Sequence, residues 1–472
     1  VVKEIQVIFG SIAMRILLVT TIILFLTILV NFGNSAINPS FSNGSSNTAD
    51  TNSFYLGGIQ VNEANQNKWV KTLQASGMNT VEVTVYAKQG DWDSDNLWFD
   101  EVDEGVLKEI RAARKRGMKV VLILRVALDH AFPRNKFLWH GLILPKSDEL
   151  IDSWFKKYEI FVNKWATIAA EEGVEVLSVG SEMNALSATL PISKMPKLYR
   201  YYKSKTAQNF HERRVLKFED ELKEKHLWVR GNDNYQTLEL YIEDKINVHL
   251  AWVKQATFDK QPDAIGLMNE RRIRVNTHWE NIIKQTRAVF SGKLTYAANF
   301  DNYLEVGFWD QLDFMGINAY FPLRDPSVTF SSRKELKAEL IKGWEVVFDE
   351  VNEFRQAQNL TNKPLFFTEL GYTFRKHSTI EPWSSDGFSV VGARGKEQLI
   401  VWKEEPVDQK ERATAVDALY ETVEKNKIDL QGLLYWKLST HEYHDDVEPF
   451  VLHINKKATD KLQNALRRFV VK

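Results

Sequence analysis

The chain has 472 residues, 44% hydrophobic and 26% charged, the composition of a folded globular protein with material for a large core. Its formal net charge of -1 gives no support to a nucleic-acid partner. The absence of cysteine excludes disulfides, thiolate metal sites and a cysteine nucleophile.

The first feature along the chain is the apolar run ILLVTTIILFLTILV from Ile16 to Val30, preceded by Lys3 and Arg15. A positive flank before an apolar stretch directs the N-terminus toward the cytoplasm. Ser35 and Ala36 offer small residues for signal-peptide cleavage. Residues 7–32 are also apolar enough to span a bilayer uncleaved. Residues 1–36 are therefore expected to be a signal peptide or membrane anchor. Either role puts the rest outside the cytoplasm, secreted or held on the outer side of the cytoplasmic membrane, with membrane contact only through residues 7–32. Residues 37–53, rich in Ser and Asn, read as a flexible linker, and folded structure is expected over 54–472.

From Phe54 the sequence alternates short β-branched runs with longer helical stretches, the mark of a parallel sheet. The strands are expected at 54–60, 79–85, 119–125, 174–180, 293–298, 312–318, 364–369 and 432–437. Gly77, Gly117 and Gly173 sit where helix C-caps are needed. Eight β-then-α units predict a closed (β/α)8 TIM barrel, and no Gly-rich dinucleotide loop follows the first strand. One unit is oversized: about 199–276 reads as a charged, mostly helical insertion after strand four, carrying Arg271, Arg272 and Arg274 at the surface.

In such barrels the chemistry sits where strands end and βα loops begin. Glu182 follows VEVLSVGS and Glu369 closes PLFFTE, ending strands four and seven. Two carboxyl groups at one rim can protonate a leaving oxygen and attack or activate water across a sugar ring, as acetal cleavage requires. An ionised Glu369 is expected to raise the proton affinity of Glu182.

This chain resembles glycoside hydrolase family 113, the β-mannanase family, within the retaining clan whose catalytic glutamates lie on strands four and seven. The carriers are Trp139-His140-Gly141 with Ile143, Trp154-Phe155, Tyr158, Gly180-Ser181-Glu182, LTYAANFDNY (294–303), FWDQLDFMGINAYFPL (308–323), FTELGY (367–372) and Pro382-Trp383. At His140 the chain departs from the arginine common in the family. The resemblance implies a retaining hydrolase acting by double displacement on a β-linked polysaccharide or oligosaccharide, foremost β-1,4-mannan, with no cofactor and no metal. It implies Glu182 as acid/base, Glu369 as nucleophile and Tyr320 as hydrogen-bond donor to the nucleophile. Asn318 and Trp436 are candidate pocket residues, the latter as an aromatic floor. Trp139, His140, Trp309 and Trp383 are candidates for further sugar contacts. Two alternatives stay open: another retaining β-glycosidase of the clan, exo-acting or glucan-directed, and a non-catalytic carbohydrate-binding envelope protein.

The run His441-Glu442-Tyr443-His444-Asp445-Asp446 after strand eight has imidazoles beside carboxylates but lacks the HExxH spacing. It reads, with His130 and His140, as a source of polar contacts to sugar hydroxyls.

Overall fold

The structure, a computed structural model, describes residues 54–99, 103–195, 227–230, 237–256, 263–384, 389–391, 399–403, 406–446, 448–457 and 460–470. The apolar run and the linker before Phe54 lie outside the described residues, as does most of 199–236. Among the described residues no helix is long and apolar enough to cross a membrane.

Eight parallel strands make the barrel. They are β1 (Tyr55–Gln60), β2 (Thr80–Gln89), β3 (Lys119–Leu128), β4 (Val176–Ser181), β5 (Lys293–Asn299), β6 (Met315–Asn318), β7 (Leu365–Leu370) and β8 (Leu430–Ser439). Each pairs with the next in chain order, and β1 pairs with both β2 and β8, closing the sheet. Every expected run becomes a strand because each is bounded by turn residues and too short for a stable helix. Val121, Ile123, Val176, Phe314, Phe366 and Leu434 fill the barrel as an apolar cluster of their own. Side chains of this plug come from several strands, so the interior is packed and the space for ligand is left to the rim.

The main helices are α1 (Gln66–Ala75), α2 (Glu104–Lys115), α3 (Asp148–Glu171), α4 (Leu238–Ala256), α5 (Ala264–Val289), α6 (Arg333–Ala357), α7 (Gln409–Asn426) and α8 (Lys461–Arg467). Their starts follow capping chemistry: Asp103 accepts from the Gly105 and Val106 amides, and Ser147 from the Leu150 amide. Gly77, Gly117 and Gly173 follow α1, α2 and α3 with φ of 91°, 67° and 69°, the left-handed region that glycine enters at no steric cost. Buried indoles of Trp69, Trp154, Trp165, Trp279 and Trp344 face the strands, so much of the tryptophan content is core.

Three expectations need correction. The fifth unit has no long helix: between β5 and β6 the described chain makes only the 3-10 turns Tyr303–Glu305 and Trp309–Gln311. The buried rings of Tyr303, Phe308 and Trp309 cover the wall there instead of a crossover helix. Trp309 is thereby removed from the sugar candidates, since it is 2% exposed and donates its Nε1–H to the Tyr303 carbonyl at 3.0 Å. Second, Arg272 is a core residue, 4% exposed. It donates to the Leu190 carbonyl at 2.8 Å and to Glu305 at 3.0 Å, partners that satisfy the buried charge.

Third, the segment after β4 is not helical throughout. Leu227–Arg230 is a strand paired antiparallel with Leu399–Lys403, which also pairs with Ser389–Val391. The first strand belongs to the segment following β4 and the other two to the segment following β7, so this small sheet fastens two rim loops together. The run LELYIEDKINVHLAWVKQA forms α4 as its periodicity indicates. The upper limit near 276 falls inside α5, which packs on the barrel through Val275, Trp279, Ile282 and Ile283.

Candidate active site

Glu369 is the penultimate residue of β7 and 3% exposed. Its Oε2 accepts from the Tyr320 hydroxyl at 2.6 Å, and its Oε1 from the Asn318 amide at 3.0 Å. The Asn318 carbonyl accepts from Thr368 Oγ1 at 2.8 Å, which fixes the amide with its NH2 toward Glu369. Arg125, 5% exposed, forms an ion pair with Glu369. Two donors and one fixed cation favour the carboxylate form. Burial and the Glu182 charge hold the Tyr320 phenol well above its ordinary range, so Tyr320 keeps the proton it donates.

Glu182 stands one residue past β4, 8% exposed. Its backbone is left-handed, with φ of 53°, and its amide donates to the Ala297 carbonyl on β5 at 2.9 Å. A non-glycine residue in this region costs about 1–3 kcal/mol, a strain that gathers at functional sites. His140 Nε2 lies 3.2 Å from Glu182 Oε2. Burial pushes the Glu182 carboxyl up, but the His140 imidazole, the Arg125 charge and the Asn318 amide outweigh it and pull the carboxyl down to about 2.

The expectation weighed only the Glu369 charge, and the fold adds two groups that favour the Glu182 carboxylate. Arg125 compensates the Glu369 charge and acts on Glu182 as well, and His140 adds a donor that the charge argument did not include. Arg125 also donates its Nε–H to Ser181 Oγ at 3.1 Å and lies 4.9 Å from the centre of the Trp436 ring, a cation–π distance. Arg125 is not among the residues that strand-end position singles out. Its signal was present, as an arginine late in the apolar run KVVLILRVAL, where a charge is rare unless paired.

The structure brings Glu182, Glu369, Tyr320, Asn318, His140 and Trp436 to one rim through these contacts. The half-buried Trp139 ring lies 5.0 Å from the His140 ring. Trp383 is 44% exposed and stacks on Phe300 at 5.0 Å, an open aromatic face joined to none of the groups above by a described contact. His130 is exposed. In the loop after β8, Glu63 accepts from the Thr440 amide at 2.6 Å and lies 3.4 Å from His441. Ser439 meets His444 at 2.6 Å, and His453 meets Asp445 at 2.8 Å. These pairs pin the loop, and among the described residues no group of three or more His, Asp or Glu is arranged to hold a metal.

A closed (β/α)8 barrel with two buried carboxyl groups at the C-terminal rim, linked through a shared arginine and amide, has the architecture of a glycoside hydrolase. The profile of Glycoside Hydrolase Family 113 matches residues 57–190 and 265–446, and the chain belongs to that family. The unmatched stretch between those ranges spans α4 and the strand Leu227–Arg230. Among curated proteins no sequence matches the chain. Solved structures similar in fold include a GH113 β-1,4-mannanase at 17% identity and TM-score 0.53, covering 88% of this chain and 99% of that one. The GH113 β-mannanase AaManA from Alicyclobacillus acidocaldarius, in complex with ManMIm, aligns at 16% identity and TM-score 0.53, over 89% of this chain and 99% of the other.

Proposed function

We propose that the protein hydrolyses β-1,4-linked mannan with retention, Glu369 acting as nucleophile and Glu182 as acid/base. The observation that carries the reading is the surround of Glu369: Tyr320 and Asn318 donate to one buried carboxylate and Arg125 pairs with its charge. A carboxylate so held is oriented and ionised, as attack on an anomeric carbon requires. Glu182, under the same Arg125, delivers a proton to the leaving oxygen as the Glu369–carbon bond forms. It then takes a proton from the water that hydrolyses the glycosyl-enzyme. The mannan preference is supported by family membership and by mannanases of similar fold.

The two glutamates should fail differently. Glu369→Ala loses activity on every substrate, because no glycosyl-enzyme forms. Glu182→Ala loses proton transfer, commonly worth about 10²–10⁴-fold, but glycosylation by an activated aryl β-mannoside is nearly spared. Its intermediate accumulates after a burst, and azide restores turnover as the β-glycosyl azide. Both variants are compared on an aryl β-mannoside with and without azide, and wild type on a panel of β-linked polysaccharides. Azide rescue of Glu369→Ala to a β-product would reverse the roles, and activity on glucan but not mannan would overturn the substrate.

A further inference from the structure

The neighbour of Glu182 that the proposed reaction leaves without a task is His140. It opens the 3-10 turn His140–Leu142 after β3, and Gly141 holds that turn against Trp139, since a Cβ there would lie 2.0 Å from the indole. The turn places Nε2 3.2 Å from Glu182 Oε2. That nitrogen is buried and makes no aligned hydrogen bond to any described residue, so the Glu182 oxygen is the acceptor within reach of it. A donor-capable ring nitrogen sealed beside one carboxylate is a place to keep a proton.

The other groups around the pair are fixed. Arg125 from β3 is committed to Glu369 and Ser181. Asn318 and Tyr320 donate to Glu369 on β7. The Tyr296 hydroxyl on β5 accepts from the Met183 amide at 2.9 Å, and burial holds its phenol well above the ordinary range. Glu82 and Tyr86 on β2 act on Arg125 rather than on Glu182.

We propose that His140 and Glu182 hold one proton between them, and that His140 through this shared proton sets the alkaline limit of glycosylation. The inference rests on the acid/base role given to Glu182. An imidazole and a carboxylate at contact distance titrate as a unit, keeping one proton between two macroscopic steps. The resting ionisation of Glu182 is then no obstacle to acid catalysis. The proton passes from His140 Nε2 to Glu182 Oε2 and on to the leaving oxygen as the anomeric C–O bond breaks and the bond to Glu369 forms. Water later returns a proton to Glu182 Oε2, and the pair regains the one it gave.

The test is the pH dependence of kcat/KM in wild type and His140→Gln on two substrates. Mannopentaose leaves only when protonated, and 2,4-dinitrophenyl β-mannobioside leaves without a proton. For mannopentaose the alkaline limb of His140→Gln should move toward acid by about one pH unit or more, while the aryl glycoside shows no such movement. Glu82→Gln should leave the mannopentaose limb in place, separating the pair from the second titrating carboxyl nearby. A uniform fall in kcat or rise in KM with an unmoved limb would make His140 a sugar contact and overturn the proposal. So would a shift of equal size on both substrates. If wild type attacks neither substrate, the catalytic reading fails, and the pair is then judged without substrate. In ¹³C-glutamate-labelled protein the Glu182 carboxyl signal, assigned by its loss in Glu182→Gln, should stay ionised to the acid limit of folding and titrate at higher pH in His140→Gln. No change between those two spectra would overturn the proposal on its own.

Discussion

Among the described residues Arg125 is the permanent cation shared by both catalytic candidates, and its second-strand neighbour Glu82 shows what that concentration of charge demands. Glu82 is 1% exposed, and neither carboxyl oxygen has a hydrogen-bond partner among the described residues. Burial pushes its carboxyl up to about 8, against the pull of Arg125 and Lys437 and with a push from Glu109. The folded value therefore lies above the ordinary 4.5. The stability tied to the protonated form is fully present below about pH 4.5 and is lost as pH rises through about 8. Glu82→Gln stays neutral in both folded and unfolded states. Its urea midpoint should therefore fall less than that of wild type between pH 5 and pH 8, and an identical fall would place the ionisation elsewhere. The amide also leaves Arg125 wholly to Glu369 and Glu182.

At the scale of elements, the insertion after β4 divides into a removable and an indispensable part. Helix α4 touches the β3 loop through Trp252, which donates to the Leu142 carbonyl at 2.9 Å, and the β2 loop through Gln255, which donates to Asp93 at 2.9 Å. Helix α5 instead carries the buried Arg272 and the core ring of Trp279. Deleting residues 199–262 should leave a cooperative thermal transition, with altered activity because the turn that bears His140 loses a support. Deletion through Asn276 should abolish folding, because it removes Arg272 and strands the Leu190 and Glu305 acceptors without it. Circular-dichroism melts of the two deletions check this, and two equal transitions would contradict it. The strands were legible in the sequence because short β-branched runs between turn residues have few alternative structures. The buried end of α5 was not, since Arg271-Arg272-Ile273-Arg274 looks like a solvated face until its carbonyl and carboxylate partners, distant in sequence, are known. For the site, strand-end position singled out Glu182 and Glu369. Arg125 leaves a local mark, a charge late in the apolar run of β3, but the partners of Arg125 and His140 are folded neighbours distant in sequence.

For the molecule as a whole, charge is balanced at -1 over the chain, while the charges that matter to the rim are buried. Exposed charges more than about 10 Å apart are screened at 0.1 M salt, whereas buried pairs are screened much less. With a neutral polysaccharide there is no steering field to lose. The kcat/KM on soluble mannan should therefore change by less than about twofold between low salt and about 0.5 M sodium chloride. A steep decline would show that surface charge guides the substrate.

The small sheet of Leu227–Arg230, Leu399–Lys403 and Ser389–Val391 has a further consequence, in the order of assembly. Its first strand leaves the ribosome well before its partners, and contacts distant in sequence form slowly because a long loop must close first. The same delay applies to Arg125, which must await Glu369. A nascent chain released only as far as β6 therefore has every barrel strand up to that point, yet neither the fastening of its rim nor the counter-ion of its arginine. The last third of the sequence completes both together.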